Sequence, residues 1–127
     1  MPAPNPHRTV TVARYVALTL TAVMIWYFLT SDAVRAGNPF LVPDLLLTAF
    51  LLISAVLPHR LAAPALLFAF PWAAAVWTVS LFTYITRDAF WDGADHLALI
   101  LPSLALTYLL SPRSPGNRLS ESAGTAA

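Results

Sequence analysis

Residues 61–86 read LAAPALLFAFPWAAAVWTVSLFTYIT and form the longest run of this chain without a charged side chain. The run is bounded by Arg60 and Arg87. A helix needs about 20 mainly apolar residues to cross a hydrocarbon core roughly 30 Å thick. Because the run exceeds that length, we predict that it forms the central helix of a membrane bundle.

The composition favours the same class of protein. The chain is 58% hydrophobic and 10% charged, with a mean hydropathy of +0.69, whereas soluble domains carry about 25% charged residues. A net charge of +1 gives no reason to expect a nucleic-acid partner. The absence of cysteine excludes disulfides and thiolate metal sites. All basic residues are arginines, which together with the Ala, Leu and Pro content suits a GC-rich bacterial genome.

Three further apolar runs lead us to predict an all-α, polytopic integral membrane four-helix bundle over residues 10–111. The predicted spans are residues 12–31, 41–57, 61–86 and 94–111. Proline removes a helix hydrogen bond and clashes with the preceding turn. We therefore expect kinks in the third and fourth helices, at Pro71 and Pro102.

The two ends of the chain have the composition of unstructured segments. Residues 1–9 contain three prolines and predict a disordered leader, and the polar residues 112–127 predict a disordered tail. The first span could instead be a cleavable signal peptide. Its apolar stretch is longer than usual for such peptides and ends in the bulky Trp26 and Tyr27. We therefore favour a retained helix.

The distribution of arginine predicts the orientation in a cell membrane. Five arginines fall at the N-terminus, in the second loop and in the tail, namely Arg8, Arg14, Arg60, Arg113 and Arg118. Arg35 and Arg87 lie in the first and third loops. Because cytoplasmic segments carry the excess of basic residues, we predict a multi-pass protein with both termini in the cytoplasm.

Two ridges of small residues suggest helix packing. They consist of Ala13, Ala17 and Thr21 on the first helix and of Ala65, Ala69 and Ala73 on the third. Such ridges allow close approach of helices in lipid. The leading hypothesis is therefore a non-enzymatic accessory or assembly subunit, which packs with itself as a homo-oligomer or with a larger membrane protein.

Asp44 carries the second hypothesis, an oligomeric transporter or channel for a small solute or ion. The pair Pro43-Asp44 is typical of a helix start, and the simpler interpretation places Asp44 at the membrane interface, stabilised by the helix dipole. An ionisable group inside a bilayer more often faces a pathway. If buried, Asp44 could pair with Arg35 or Arg87, or bind a proton or a cation.

A cluster of polar residues in the third loop carries the third hypothesis, a membrane enzyme or metal site at the outer rim. On one helical turn, side chains three and four positions apart share a face, which would group Asp88, Asp92, Asp95 and His96. Such a set could bind a divalent cation or act as acid and base. The simpler alternative is a hydrated loop that caps the fourth helix. Gly93 weakens the assumption of a continuous helix.

The remaining candidates are lipid contacts and packing groups. His59 and Arg60 could contact anionic headgroups, although a loop that sets topology needs the same residues. Trp72 and Trp77 could line an apolar pocket or fill space beside Pro71. Hydroxyl groups in the last two spans are expected to bond between helices. Neither a phosphate-binding loop nor a zinc-protease signature is present, and we predict no cofactor.

Overall fold

A computed structural model describes residues 4–112 and residue 124. Within these residues it contains helices and no strand, so the predicted all-α class is confirmed. The elements are α1 (Pro6–Thr30), α2 (Leu41–Val56), α3 (His59–Ile85), α4 (Phe90–Gly93) and α5 (His96–Leu110). Apart from Pro112 and Gly124, the predicted tail lies outside the described residues, as do the first three residues of the predicted leader.

Helix α3 is the centre of the molecule, as the length of its apolar run predicts. It packs against each of the other four helices, while α1 also contacts α2 and α5. The helix runs without interruption through Pro64 and Pro71, and α5 does the same through Pro102. The prolines therefore break neither helix, and a kink at Pro71 or Pro102 stays a prediction.

Helix α1 begins earlier than the sequence suggests. The predicted leader at residues 1–9 is wrong from Pro6 onward, because the helix starts at that proline. Proline suits the first position of a helix, where its missing N–H would have no partner. The Asn5 side chain then caps the helix by accepting a hydrogen bond from the His7 amide at 3.0 Å.

The small ridges are used inside the chain. Ala13, Ala17, Ala69 and Ala73 are completely buried, and Thr21 is 3% exposed. Ala65, the remaining member, is half-buried. The four buried alanines pack with larger side chains in one core, of which Phe70, Leu47, Leu51 and Leu66 are fully buried. The ridges therefore contribute to packing within this chain, and packing with a second chain stays a prediction.

Most helix hydroxyls bond within their own helix. Thr78, Ser103 and Thr107 donate to the carbonyl four residues earlier, at 2.7–2.8 Å. This corrects the expectation of bonds between helices: in apolar surroundings a hydroxyl is satisfied by its own backbone without a partner helix. Ser80 is the exception, since its Oγ lies 3.0 Å from a nitrogen of His96 in α5.

The bundle has two different ends, which we call the His7 end and the His96 end. At the His7 end α1 and α3 begin, and the His7 ring stacks on His59 with centroids 4.9 Å apart. The His96 end contains the end of α1, the start of α2, the end of α3 and the start of α5. The helices therefore alternate in direction along the chain.

Two helices, α1 and α3, are long and apolar enough to cross a membrane. In the most apolar 18-residue window of each helix, 28% of the residues are buried in α1 and 39% in α3. Helices α2 and α5 are shorter apolar helices. Large apolar side chains remain exposed on all four of these helices, among them Tyr15, Leu29, Val56, Phe68, Phe82 and Leu101.

Candidate functional site

A polar cavity of about 520 Å³ lies at the His96 end. Its wall is formed by the last turns of α1 and α3, the first turns of α2 and α5, and the connections at residues 31–40 and 86–95. The ionisable residues in the wall are Tyr27, Asp32, Arg35, Asp44, Tyr84, Arg87, Asp92, Asp95 and His96. The cavity thus brings together Asp44 and part of the third-loop cluster, which the sequence presents as separate candidates.

Asp44 is the most deeply placed acidic residue of this wall. It is 7% exposed and lies in the first turn of α2, as the helix-start pattern predicts. Its position relative to a membrane interface stays a prediction. Within residues 4–112 its carboxylate has neither a hydrogen-bond partner nor an ion pair, so the pairing with Arg35 or Arg87 does not form. The carboxylate remains open to the cavity, whereas Arg14 Nε is a fully enclosed polar atom without a partner.

Asp44 lies in the first turn of α2. Phe40 caps this helix, and its carbonyl accepts the amide of Asp44 at 2.8 Å. The same cavity is lined by Met24, which precedes the last residue of α1, Thr30, by six positions, or about 9 Å of helix. The cavity therefore extends below the end of α1.

His96 is held rigidly beside the cavity. Its Nδ1 lies 2.9 Å from the Gly93 carbonyl and 3.1 Å from Asp95 Oδ1, and its Nε2 lies 3.0 Å from Ser80 Oγ. A carbonyl only accepts, so Nδ1 must carry a proton and donate it. In the neutral imidazole Nε2 is then the acceptor of the Ser80 hydroxyl.

The series Asp95, His96 and Ser80 has the connectivity of a catalytic triad but lacks its surroundings. Ser80 lies inside α3, whose backbone N–H groups are used by the helix, and it is close to the negative end of the helix dipole at Ile85. An acyl-transfer site needs free donors for the oxyanion. We therefore interpret this series as a link that orients His96 and joins α3 to α5.

The predicted metal site is not assembled in the described residues. No three histidine or acidic side chains of residues 4–112 come close enough to hold a metal ion. The assumption of one helical face fails because the chain turns at Asp88, where φ is 55°, before α4 begins. Asp88 does not line the cavity, and Asp92 and Asp95 are exposed at its rim.

A close backbone contact shapes the wall near His96. Gly93 is buried, and a Cβ atom at this position would lie 2.6 Å from Tyr84 Cγ and 2.9 Å from its Cβ. The Tyr84 ring in turn packs beside His96, with ring centroids 5.5 Å apart. The glycine allows the third loop to fold onto the end of α3. An isolated Gly in a polar loop gives no sequence signal for such a contact.

The other candidate residues lie away from this cavity or play different parts in it. His59 and Arg60 are exposed at the His7 end, where the nearest nitrogens of His59 and His7 are 2.9 Å apart. Trp77 is 3% exposed and lines the cavity. Trp72 instead lines an apolar groove between α2 and α3, beside Phe50.

Comparison with known proteins provides no relative on which to base a function. No protein-family model, no curated protein and no solved structure matches the chain. The functional argument therefore depends on the geometry of the His96 end.

Proposed function

We propose that this chain is a multi-pass membrane protein in which α1, α2, α3 and α5 cross the bilayer. Core helices of soluble proteins are mostly buried, whereas fewer than half of the residues in the apolar windows of α1 and α3 are. Exposed apolar side chains on every long helix, such as Leu29 at 78% and Leu101 at 62%, would be costly in water. In lipid the same surface requires no partner.

The orientation follows from the placement of charge at the two ends. Among the described residues Arg8, Arg14 and Arg60 lie at the His7 end, whereas Arg35 and Arg87 lie at the His96 end together with all five aspartates. The positive-inside rule then places the His7 end in the cytoplasm and opens the cavity to the other side of the membrane.

In this setting we assign the cavity to the binding and transport of a small polar solute. The observation that carries the proposal is Asp44, a buried residue in the wall of a cavity open at one end, whose carboxylate has no partner among residues 4–112. A charge removed from water costs several kcal/mol unless a partner compensates it. Natural proteins retain such groups in membrane spans mainly along solute or ion pathways.

Substitution of Asp44 tests this function directly. Asp44→Asn keeps the shape of the side chain and removes its charge, so we expect it to abolish solute flux in reconstituted vesicles while the protein remains folded in detergent. Asp88→Asn is the matched control, because Asp88 is exposed and does not line the cavity. Equal flux through wild type and Asp44→Asn, or none through the wild type for a broad solute panel, would reject the proposal.

A packing subunit remains a second candidate, on a surface different from the small ridges. An apolar groove of about 460 Å³ lies between the start of α2 and the middle of α3, with Pro43, Trp72 and Ala75 in its wall. A helix of a second copy or of a larger membrane protein could fill it. Ala75→Leu should then reduce the size of the extracted complex, whereas Ala98→Leu on the exposed face of α5 should not.

A further inference from the structure

We infer that the solute bound in the cavity of the His96 end is a small organic ammonium ion. This inference rests on the proposed function, since it takes the cavity as a binding site and names the chemical class of its ligand. Its physical basis is Asp44, a residue that is 7% exposed and lines the cavity, and whose carboxylate lacks a partner in the described residues.

The charges of the wall favour a cation. Four aspartates line the cavity, Asp32, Asp44, Asp92 and Asp95, against two arginines and one histidine, so acidic side chains outnumber basic ones. The arginines, Arg35 and Arg87, are both exposed at the rim, and within residues 4–112 neither pairs with Asp44. An ammonium group at Asp44 supplies the missing partner.

The protein satisfies His96 on both sides of its ring. Its Nδ1 donates to the Gly93 carbonyl, and its Nε2 lies 3.0 Å from the Ser80 hydroxyl. Within residues 4–112 it makes no ion pair with Asp44. The Asp44 carboxylate is therefore left to attract a positively charged ligand.

The size and the aromatic content of the cavity favour an organic cation over a metal ion. A volume of about 520 Å³ far exceeds that of a dehydrated metal ion, and residues 4–112 contain no group of three acidic or histidine ligands. Tyr27, Phe40, Trp77 and Tyr84 also line the space. Aromatic rings attract alkylammonium groups through their π faces, most strongly where water is excluded.

Three probes of similar shape and different charge test the inference on the purified full chain in lipid nanodiscs. They are choline, the neutral 3,3-dimethylbutan-1-ol and the anionic 3,3-dimethylbutanoate. Binding is followed by tryptophan fluorescence, for which Trp77 in the wall is the reporter, and by the shift of the thermal unfolding midpoint. We expect choline to bind at least about tenfold more tightly than either of the other probes.

Variants separate the role of charge from that of folding. Asp44→Asn should remove the preference for choline, Asp44→Glu should retain it, and Asp88→Asn should leave it unchanged. If the neutral or anionic probe binds as tightly as choline in an Asp44-dependent manner, the ammonium inference is wrong while the solute cavity stands. If none of the probes binds, the ammonium inference is also overturned, and the flux comparison of Asp44→Asn decides separately on transport.

Discussion

The two ends of the bundle use their polar residues in opposite ways. At the His7 end α2 and α3 are joined by Leu57 and Pro58, and Arg14 donates to the Leu57 carbonyl at the end of α2. At the His96 end two longer connections line a cavity of about 520 Å³, and Asp44 in its wall has no partner among residues 4–112.

This difference separates residues that stabilise the bundle from residues available for function. A polar group that satisfies a neighbour contributes to the free energy of unfolding, and its removal leaves that neighbour without a partner. A buried charge without a partner opposes folding, and its retention is explained by what it binds.

The largest loss of stability is expected for Gly93→Ala, at the His96 end. The added Cβ would come within 2.6–2.9 Å of the Cβ and ring atoms of Tyr84, which cannot rotate away because its own Cβ is involved. We expect a loss of about 2–3 kcal/mol in unfolding free energy, measured by denaturant titration in micelles. In a Tyr84→Ala background the contacts with the ring atoms are lost while that with the Cβ atom at 2.9 Å remains, so the penalty should become smaller without disappearing. The same loss in both backgrounds would show that the contact with the Tyr84 ring is not its cause.

A smaller loss of stability is expected for Arg14→Met, at the His7 end. Methionine keeps much of the apolar stem but removes the donor of the Leu57 carbonyl, for which we expect a cost of about 1–2 kcal/mol. The measurement is the unfolding free energy in the same micelles. Arg8→Met serves as the control, because Arg8 is exposed. Equal stability of the two variants would contradict the assignment of Arg14 as a helix cap.

The smallest effect on stability is expected for His7→Ala, also at the His7 end. The stacked rings of His7 and His59 are both exposed, so their contact competes with water. We expect a change of no more than about 0.5 kcal/mol in unfolding free energy. A loss as large as that of Arg14→Met would mean that the histidine pair stabilises this end of the bundle as much as the hydrogen bond from Arg14 to the Leu57 carbonyl does.

The fold could be predicted from the sequence because it depends on apolar length and on residue size. The four long helices follow from runs of apolar residues, and the buried ridges follow from Ala13, Ala17, Ala69 and Ala73. What the ridges pack against could not be predicted, since small residues fit a helix of the same chain as well as that of another. The start of α1 could not be predicted from Pro6, because proline breaks the interior of a helix but is favoured at its first position.

The site could be predicted only in its parts. Asp44 and His96 are recognisable as unusual polar residues, but the sequence does not reveal that one cavity joins them. That depends on the turn at Asp88, on the contact between Gly93 and Tyr84, and on the bond between Ser80 and His96. These contacts have no periodic pattern, because each involves an irregular loop or a single polar residue on an apolar helix.

The most direct test of the account is the accessibility of Asp44 in intact cells. The chain contains no cysteine, so single substitutions Asp44→Cys, Leu47→Cys and Arg60→Cys can be labelled with a membrane-impermeant maleimide. We predict labelling at position 44 from outside, at position 60 only after permeabilisation, and at the fully buried position 47 in neither case. Protection of position 44 together with labelling of position 60 in intact cells would contradict both the open cavity and its orientation.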